Sequence, residues 1–235
     1  GGTKPSYAFP NYLVDAHLID VGVPLGAWRS VGPSQNGWVM ESFIDELAYA
    51  AKADPFEFRR KLLANSPRLK RALEYAAEKA GWGKKLPKGV GRGIACVESF
   101  GSAAAHVAEV SVDKDGNVRL LRIVAAIDCG PVVNPDTLEA QVEGGIIYGL
   151  SAALKDEITI DRGRVQQGNF DDYRLPQIDE MPKFEVYTVP SPDPVGGIGE
   201  PGLPPAAPAV CNAIFAATGK RIRRLPIRPA DLATK

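Results

Sequence analysis

A change of hydrophobic period near Gly89 constrains this chain more than any other feature. Before it, apolar residues recur at helical spacing; after it, they alternate. Ile94 to Phe100, His106 to Val112 and Val118 to Asp128 read as strands. The last two are joined by Asp115-Gly116-Asn117, and Asp-Gly between alternating apolar runs is a strong hairpin signal. Asp156 to Val165, turning at Arg162-Gly163, and Phe184 to Val189 predict further strands.

Helix signals frame these strands. Residues 1–27, rich in Gly, Pro and the aromatics Tyr7, Phe9 and Tyr12, predict an entering strand and loop. A turn-rich stretch, Gly26 to Asn36, precedes a helix carrying Val39, Phe43, Ile44, Leu47 and Ala48. Asp54-Pro55 and Ser66-Pro67 each place a capping residue before a proline at the first helical position, and Gly81 stops the second of these helices. Asn134-Pro135 repeats the device ahead of Leu138, Val142, Ile146, Ile147 and Leu150. Ala206 to Ala217, small and apolar throughout, predicts a buried helix closed by Gly219. Runs of strands with interspersed helices imply an α+β fold: layered mixed or antiparallel sheets with packed helices. The expected division is residues 1–88, an entering strand or loop plus a three-helix subregion, and residues 89–235, an α+β region.

Composition narrows the functional classes. The 235 residues are 45% apolar and 24% charged, ordinary globular values, and 28 acidic residues balance 28 basic ones. Zero net charge gives no electrostatic case for nucleic acid or a membrane surface. Lys220-Arg221-Ile222-Arg223-Arg224 reads as a solvated helix end. Cys96, Cys129 and Cys211 are widely spaced in apolar contexts and read as core residues, with no disulfide or zinc pattern. No apolar run reaches the about 18 residues of a transmembrane helix. The chain begins at Gly1 and not Met, which predicts a piece of something longer.

Three polar features sit where chemistry is expected. Pro194 to Pro201 packs Gly196, Gly197 and Gly199 around Ile198 and follows them with one carboxylate, Glu200. Glycines there admit a bulky ligand close to the backbone, and Glu200 would lie just before the Ala206 helix, where partial positive charge favours an anion. That seat suits a general base; it equally suits a carboxylate that only complements a helix start. Arg29, in a turn with Gly32, Gln35 and Asn36, offers a guanidinium and open amides to an oxyanion, or is a plain surface arginine. Gln141, in the middle of an apolar helix and followed by Gly144-Gly145, needs partners if buried. His17 and His106 belong to no nucleophile motif, and His106 reads as a strand residue.

With these residues in order, the chain resembles the C-terminal portion of the molybdenum-binding subunit of the xanthine dehydrogenase and aldehyde oxidase family, most closely the isoquinoline 1-oxidoreductase β-subunit branch, also labelled membrane-bound aldehyde dehydrogenase. The resemblance rests on Trp28-Arg29-Ser30-Val31-Gly32, Glu41 to Ala48, Asp54-Pro55 with Phe58-Arg59, Ala125 to Gly130 with Val133-Asn134-Pro135, Gln141 to Gly145, Val165 to Phe170 and Gly199-Glu200-Pro201. It implies a molybdopterin-binding-domain-like fold and a molybdenum hydroxylase oxidising aldehydes or N-heterocycles with oxygen from water. Glu200 falls on the family's base, which deprotonates a molybdenum-bound hydroxyl. Arg29, Gln141, Gly197 and Gly199 fall on cofactor-contacting positions, and Val31 falls in the substrate pocket; no residue ligates the metal directly. Where the xanthine dehydrogenase branch has glycine and an aromatic after the arginine, Ser30 and Val31 stand here, which argues against purine stacking.

The resemblance also implies molybdopterin, with or without a cytosine dinucleotide, and as partners the N-terminal remainder of the same subunit, an iron–sulfur subunit and a cytochrome c acceptor. The family's upstream Gly-Gly-x-Phe-Gly and Gly-Gln-Gly stretches are absent from these residues, so the segment alone is expected to bind no molybdopterin and to be inactive. Relatives of this branch are often exported to the periplasm or associated with a membrane; the residues themselves assign no compartment.

Overall fold

The computed structural model describes residues 5–234. The helices of the first third are α1 (Val31–Ala50), α2 (Pro55–Leu62) and α3 (Pro67–Ala80). Asp54 caps α2 by accepting from the amides of Phe56 and Glu57, and Gly81 closes α3 at φ 67°, the left-handed stop that glycine permits. Strands β1 (Val90–Ser99), β2 (Ser102–Val112) and β3 (Val118–Asp128) follow, then α4 (Pro135–Leu154), the two-residue pair β4 (Ile160–Asp161) and β5 (Arg164–Val165), β6 (Lys183–Thr188), α5 (Ala206–Thr218) and α6 (Pro229–Leu232). The main sheet runs β1-β2-β3-β6, antiparallel except for the parallel β3–β6 pair.

Alternation along β2 assigns the two faces. Ala104, Ala108 and Val110 pack with Val142, Ile146 and Leu150 of α4 and Ala209, Val210 and Ile214 of α5. Ala103, Ala105 and Val107 pack with Leu69, Leu73 and Ala76 of α3 and Ile44 of α1. The helical first third and the strand-rich remainder therefore share one apolar layer. On the other face α5 lies directly on β1. A Cβ at Gly91 or Gly93 would fall 2.1 Å from the Ala213 carbonyl oxygen or 2.2 Å from its amide, so only glycine admits that approach.

Several sequence expectations change. Residues 5–27 contain no strand: Pro5, Pro10 and Pro24 lack the N–H a ladder needs, and residues 10–27 are exposed along their whole length, so no alternating face is buried. Helix α1 begins at Val31 instead of near Val39, taking Gly32, Gln35 and Asn36 into its first turns. The strand expected over Asp156 to Val165 shrinks to β4 and β5, an exposed ribbon with no sheet beside it. The basic run after α5 is solvated only in part: Lys220 donates to the Leu232 and Ala233 carbonyls and Arg221 pairs with Asp45, whereas Arg223 and Arg224 are exposed, as expected, and reach Glu46 and Glu157 from the surface. Those partners lie on α1, α6 and the segment after α4, so the run staples the C-terminus to the body. Cys96, Cys129 and Cys211 are buried thiols, as expected.

Candidate functional site

Three segments meet at Gly199 and Glu200: their own loop, the turn before α1 and α4. The Gly199 carbonyl accepts from Arg29 Nε (3.0 Å) and Nη2 (2.6 Å), which comes from the turn before α1, and from Gln141 Nε2 (3.0 Å) on α4. Glu200 Oε1 accepts the Ser30 amide (2.9 Å), and Ser30 Oγ donates to the Glu200 carbonyl (2.7 Å). Residues separated by 170 and 58 positions in sequence thus converge on one dipeptide. The Arg29 guanidinium also stands 5.8 Å from the Tyr148 ring centroid, and Trp28 packs against that ring at 5.1 Å.

The local backbone is strained where it touches Glu200. Ser30 adopts φ 69° and Val31 φ 37°, both left-handed, and for a β-branched residue that is a genuine outlier. The Ser30 amide is held in that turn by the Glu200 carboxylate. Val31, beside it, is 41% exposed.

Of the three loop glycines, only Gly196 is closed off by the chain itself. Gly196, Gly197 and Gly199 all have negative or extended φ, so positive φ is not what selects them. At Gly196 the close neighbour is the chain itself: a Cβ there would meet the Gly101 carbonyl oxygen at 2.1 Å. The Gly196 amide donates to the Cys129 carbonyl (2.9 Å), the Gly197 amide donates to the Phe100 carbonyl (2.8 Å), and the Gly197 carbonyl accepts from Ser102 Oγ (2.6 Å). Gly197 and Gly199 remain exposed. Gly145 and Gly149 explain their cost in α4, since a Cβ at either would crowd the 202–203 backbone at 3.3 and 3.1 Å.

Two more expectations are corrected. Glu200 does not serve α5: that helix starts six positions later with Pro205 at its cap and no side-chain bond, and the carboxylate sits instead at the amide preceding α1. Gln141 is half-buried and not sealed in the core, because α4 turns that side toward the loop. Arg29, Gln141, Gly199 and Glu200 are brought together, with Gly197 two residues upstream of Gly199 and Val31 beside Ser30. Sequence reasoning missed Ser30 as the partner of Glu200 and Tyr148 under Arg29; the glycine that another branch carries at position 30 marks a left-handed turn and could have found the first.

Beside this cluster lies an open hollow of about 360 Å³ whose wall includes Val133, Leu138, Gln141, Val195 and Ile198. No group of three or more His, Cys, Asp or Glu side chains suited to a metal occurs among the described residues. His106 lies in β2, fully buried, where loss of hydration pushes its imidazole down to about 3.

The isoquinoline 1-oxidoreductase β subunit of Brevundimonas diminuta is 33% identical over 97% of this chain and 30% of its own length. The membrane-bound aldehyde dehydrogenase (pyrroloquinoline-quinone) of Gluconacetobacter polyoxogenes is 37% identical over 88% of this chain and 29% of its own. The chain thus spans less than a third of the curated relatives it matches. Among solved structures, quinoline 2-oxidoreductase from Pseudomonas putida 86 superposes with a TM-score of 0.76 over 88% of this chain and 52% of that one, at 14% identity, which shows a shared α+β fold. With residues 43–182 matched by the family described as "Molybdopterin cofactor-binding domain", the chain belongs to that family.

Proposed function

We propose that this chain forms one wall of the catalytic site of a molybdenum hydroxylase, with Glu200 as its general base. The observation that carries the reading is the convergence of Arg29, Gln141 and Ser30 on Gly199-Glu200. A flat, anionic pterin fits this donor set: a guanidinium, an amide, exposed glycine backbone without Cβ atoms and an apolar hollow flank one another. Arg29, Gln141, Gly197 and Gly199 would hold it. When bound, the molybdenum cofactor supplies a two-electron oxidation of an electron-poor carbon, with oxygen from water.

The chain's own contribution is orientation and one proton. The Ser30 amide fixes Glu200 through Oε1, which leaves Oε2 as the atom that receives a proton. Arg29 and Gln141 anchor the carbonyl immediately before Glu200, so the carboxylate is carried on a backbone held from both sides. Val31 in place of an aromatic suits aldehydes or N-heterocycles over stacked purines, and the names of the relatives point the same way. The partners in this reading are the remainder of the same subunit and an iron–sulfur subunit, with a cytochrome c as onward acceptor, and the cofactor is molybdopterin with or without a cytosine dinucleotide.

The test is Glu200→Gln in the full-length subunit assembled with its iron–sulfur partner. Molybdenum content by mass spectrometry should match wild type while aldehyde-dependent dye reduction falls about 10²- to 10⁴-fold, the range for losing a general base. Equal metal with turnover within twofold of wild type would remove Glu200 from the chemistry.

A further inference from the structure

The loop that delivers Glu200 is held by a second cluster. Asp128, the last residue of β3, is fully buried. Its Oδ1 accepts Arg68 Nε (2.9 Å) and its Oδ2 accepts Arg71 Nη2 (3.0 Å). The two arginines stand three apart in α3 and so share one face. Each then reaches onward: Arg68 Nη1 to the Gly101 carbonyl (2.6 Å) in the β1–β2 turn and Nη2 to the Pro194 carbonyl (3.2 Å), Arg71 to Ser191 Oγ (3.3 Å) and to the Asp193 carboxylate. Two carboxylates and two guanidiniums balance in charge while joining α3, the β1–β2 turn, the end of β3 and residues 191–194.

Residues 189–205 contain no helix or strand, so no regular ladder fixes where Glu200 ends up. What fixes it is a series of ties: the arginines at 191–194, the Cys129 and Phe100 carbonyls at Gly196 and Gly197, then Arg29, Gln141 and Ser30 at 199–200. Burying Asp128 among these partly exposed partners costs desolvation, so the cluster is weak evidence for stability by itself. Here it does what an apolar contact cannot, holding specific carbonyls of an irregular segment at fixed angles through the planar guanidinium fork. We propose that Asp128, Arg68 and Arg71 are positioning residues that set the placement of the Glu200 carboxylate. The proposal rests on Glu200 being the base; a displacement of 1 Å at a reacting group can cost about 10²-fold in rate.

The experiment compares Arg68→Met with Arg68→Lys and wild type in the full-length subunit with its partner, reading hydrogen–deuterium exchange, metal content, kcat and KM. In Arg68→Met the amides of Gly196 and Gly197 should exchange about tenfold faster or more while β1–β3 keep their protection. With metal content unchanged, kcat should fall about 10²-fold and KM stay within twofold. Arg68→Lys, which keeps the charge but not the fork, should fall between, and it carries the same readouts if Arg68→Met does not assemble. Unchanged exchange over 190–200 with unchanged kcat overturns the proposal, as does a loss of activity that only tracks a loss of metal. Glu200→Gln in the same preparation keeps the two ideas apart: full turnover there sinks the base, whereas the exchange data judge the clamp.

Discussion

Two glutamates in this molecule each accept a backbone amide and lie near an arginine, yet differ in how fully their carboxylates are bonded. Glu41 of α1 is 1% exposed: Oε1 accepts the Tyr7 hydroxyl (2.5 Å), and Oε2 accepts Arg59 Nε (2.8 Å) and the Cys96 amide (2.9 Å). Arg59 goes on to Asp45, and Asp45 to Arg221. Glu200 is half-exposed and takes one protein donor, the Ser30 amide. An ionised carboxylate offers about four lone-pair sites. At Glu41 protein groups occupy most of them and water is excluded, which leaves a rigid cross-link between α1, α2, β1 and the residues after α5. At Glu200 most remain open among the described residues, which is what the proposed role as a proton acceptor needs. Spare bonding capacity, and not the presence of arginine nearby, is what sets the proposed site apart from the staple.

The sharpest way to break that contrast is to open the closed side. Arg59→Met strands Glu41 as a buried carboxylate without its cation, while Asp45 keeps Arg221, and should destabilise the chain by about 3–5 kcal/mol in denaturant unfolding. A loss below about 1 kcal/mol would mean that water reaches Glu41, and the two glutamates would no longer differ in kind.

His106 sharpens the comparison from another side, being buried with neither ring nitrogen bonded among the described residues. Burial holds its pKa at about 3, below the about 6.5 of an unfolded histidine. The unfolded chain therefore binds the proton first, so the stability is fully present above pH 6.5 and drains as pH falls toward 3. At pH 4 the loss from this group is about 3 kcal/mol. His106→Leu should lose less stability than wild type between pH 7 and pH 4; parallel losses in the two proteins would mean that the imidazole is not sealed.

Much of the fold was legible because its signals are local. Asp54-Pro55, Asn134-Pro135 and the glycine stops at 81 and 219 act within a turn, and the Asp115-Gly116 hairpin joins β2 to β3 where it was expected. At the candidate site, the sequence singled out Arg29, Gln141 and Glu200 one by one, and their mutual geometry was not legible. Which helix start Glu200 serves depends on a contact across 170 positions, and the nearer helix in sequence is the wrong one. The Glu41 network does leave a trace in the sequence: Glu41 and Asp45 flank Ile44 on the buried side of α1, where acidic residues demand partners. In the basic run, Arg223 and Arg224 are exposed as expected, and Arg221 was not legible as a buried partner because Asp45 lies far away in the chain.

The smallest expected effect is the most telling for the open side. Glu200→Gln keeps an oxygen for the Ser30 amide, so unfolding stability should move by no more than about 0.5 kcal/mol. Glu200→Ala leaves that amide without its acceptor beside a fully buried Ser30 and should cost about 1–3 kcal/mol, with the left-handed turn at Ser30 and Val31 relaxing. If Gln is tolerated and Ala is not, folding uses one oxygen of Glu200 and has no need of its charge. The negative charge is then retained for something other than stability, which is what a proton acceptor predicts. If Gln instead costs as much as Ala, the charge is structural and Glu200 is a staple like Glu41.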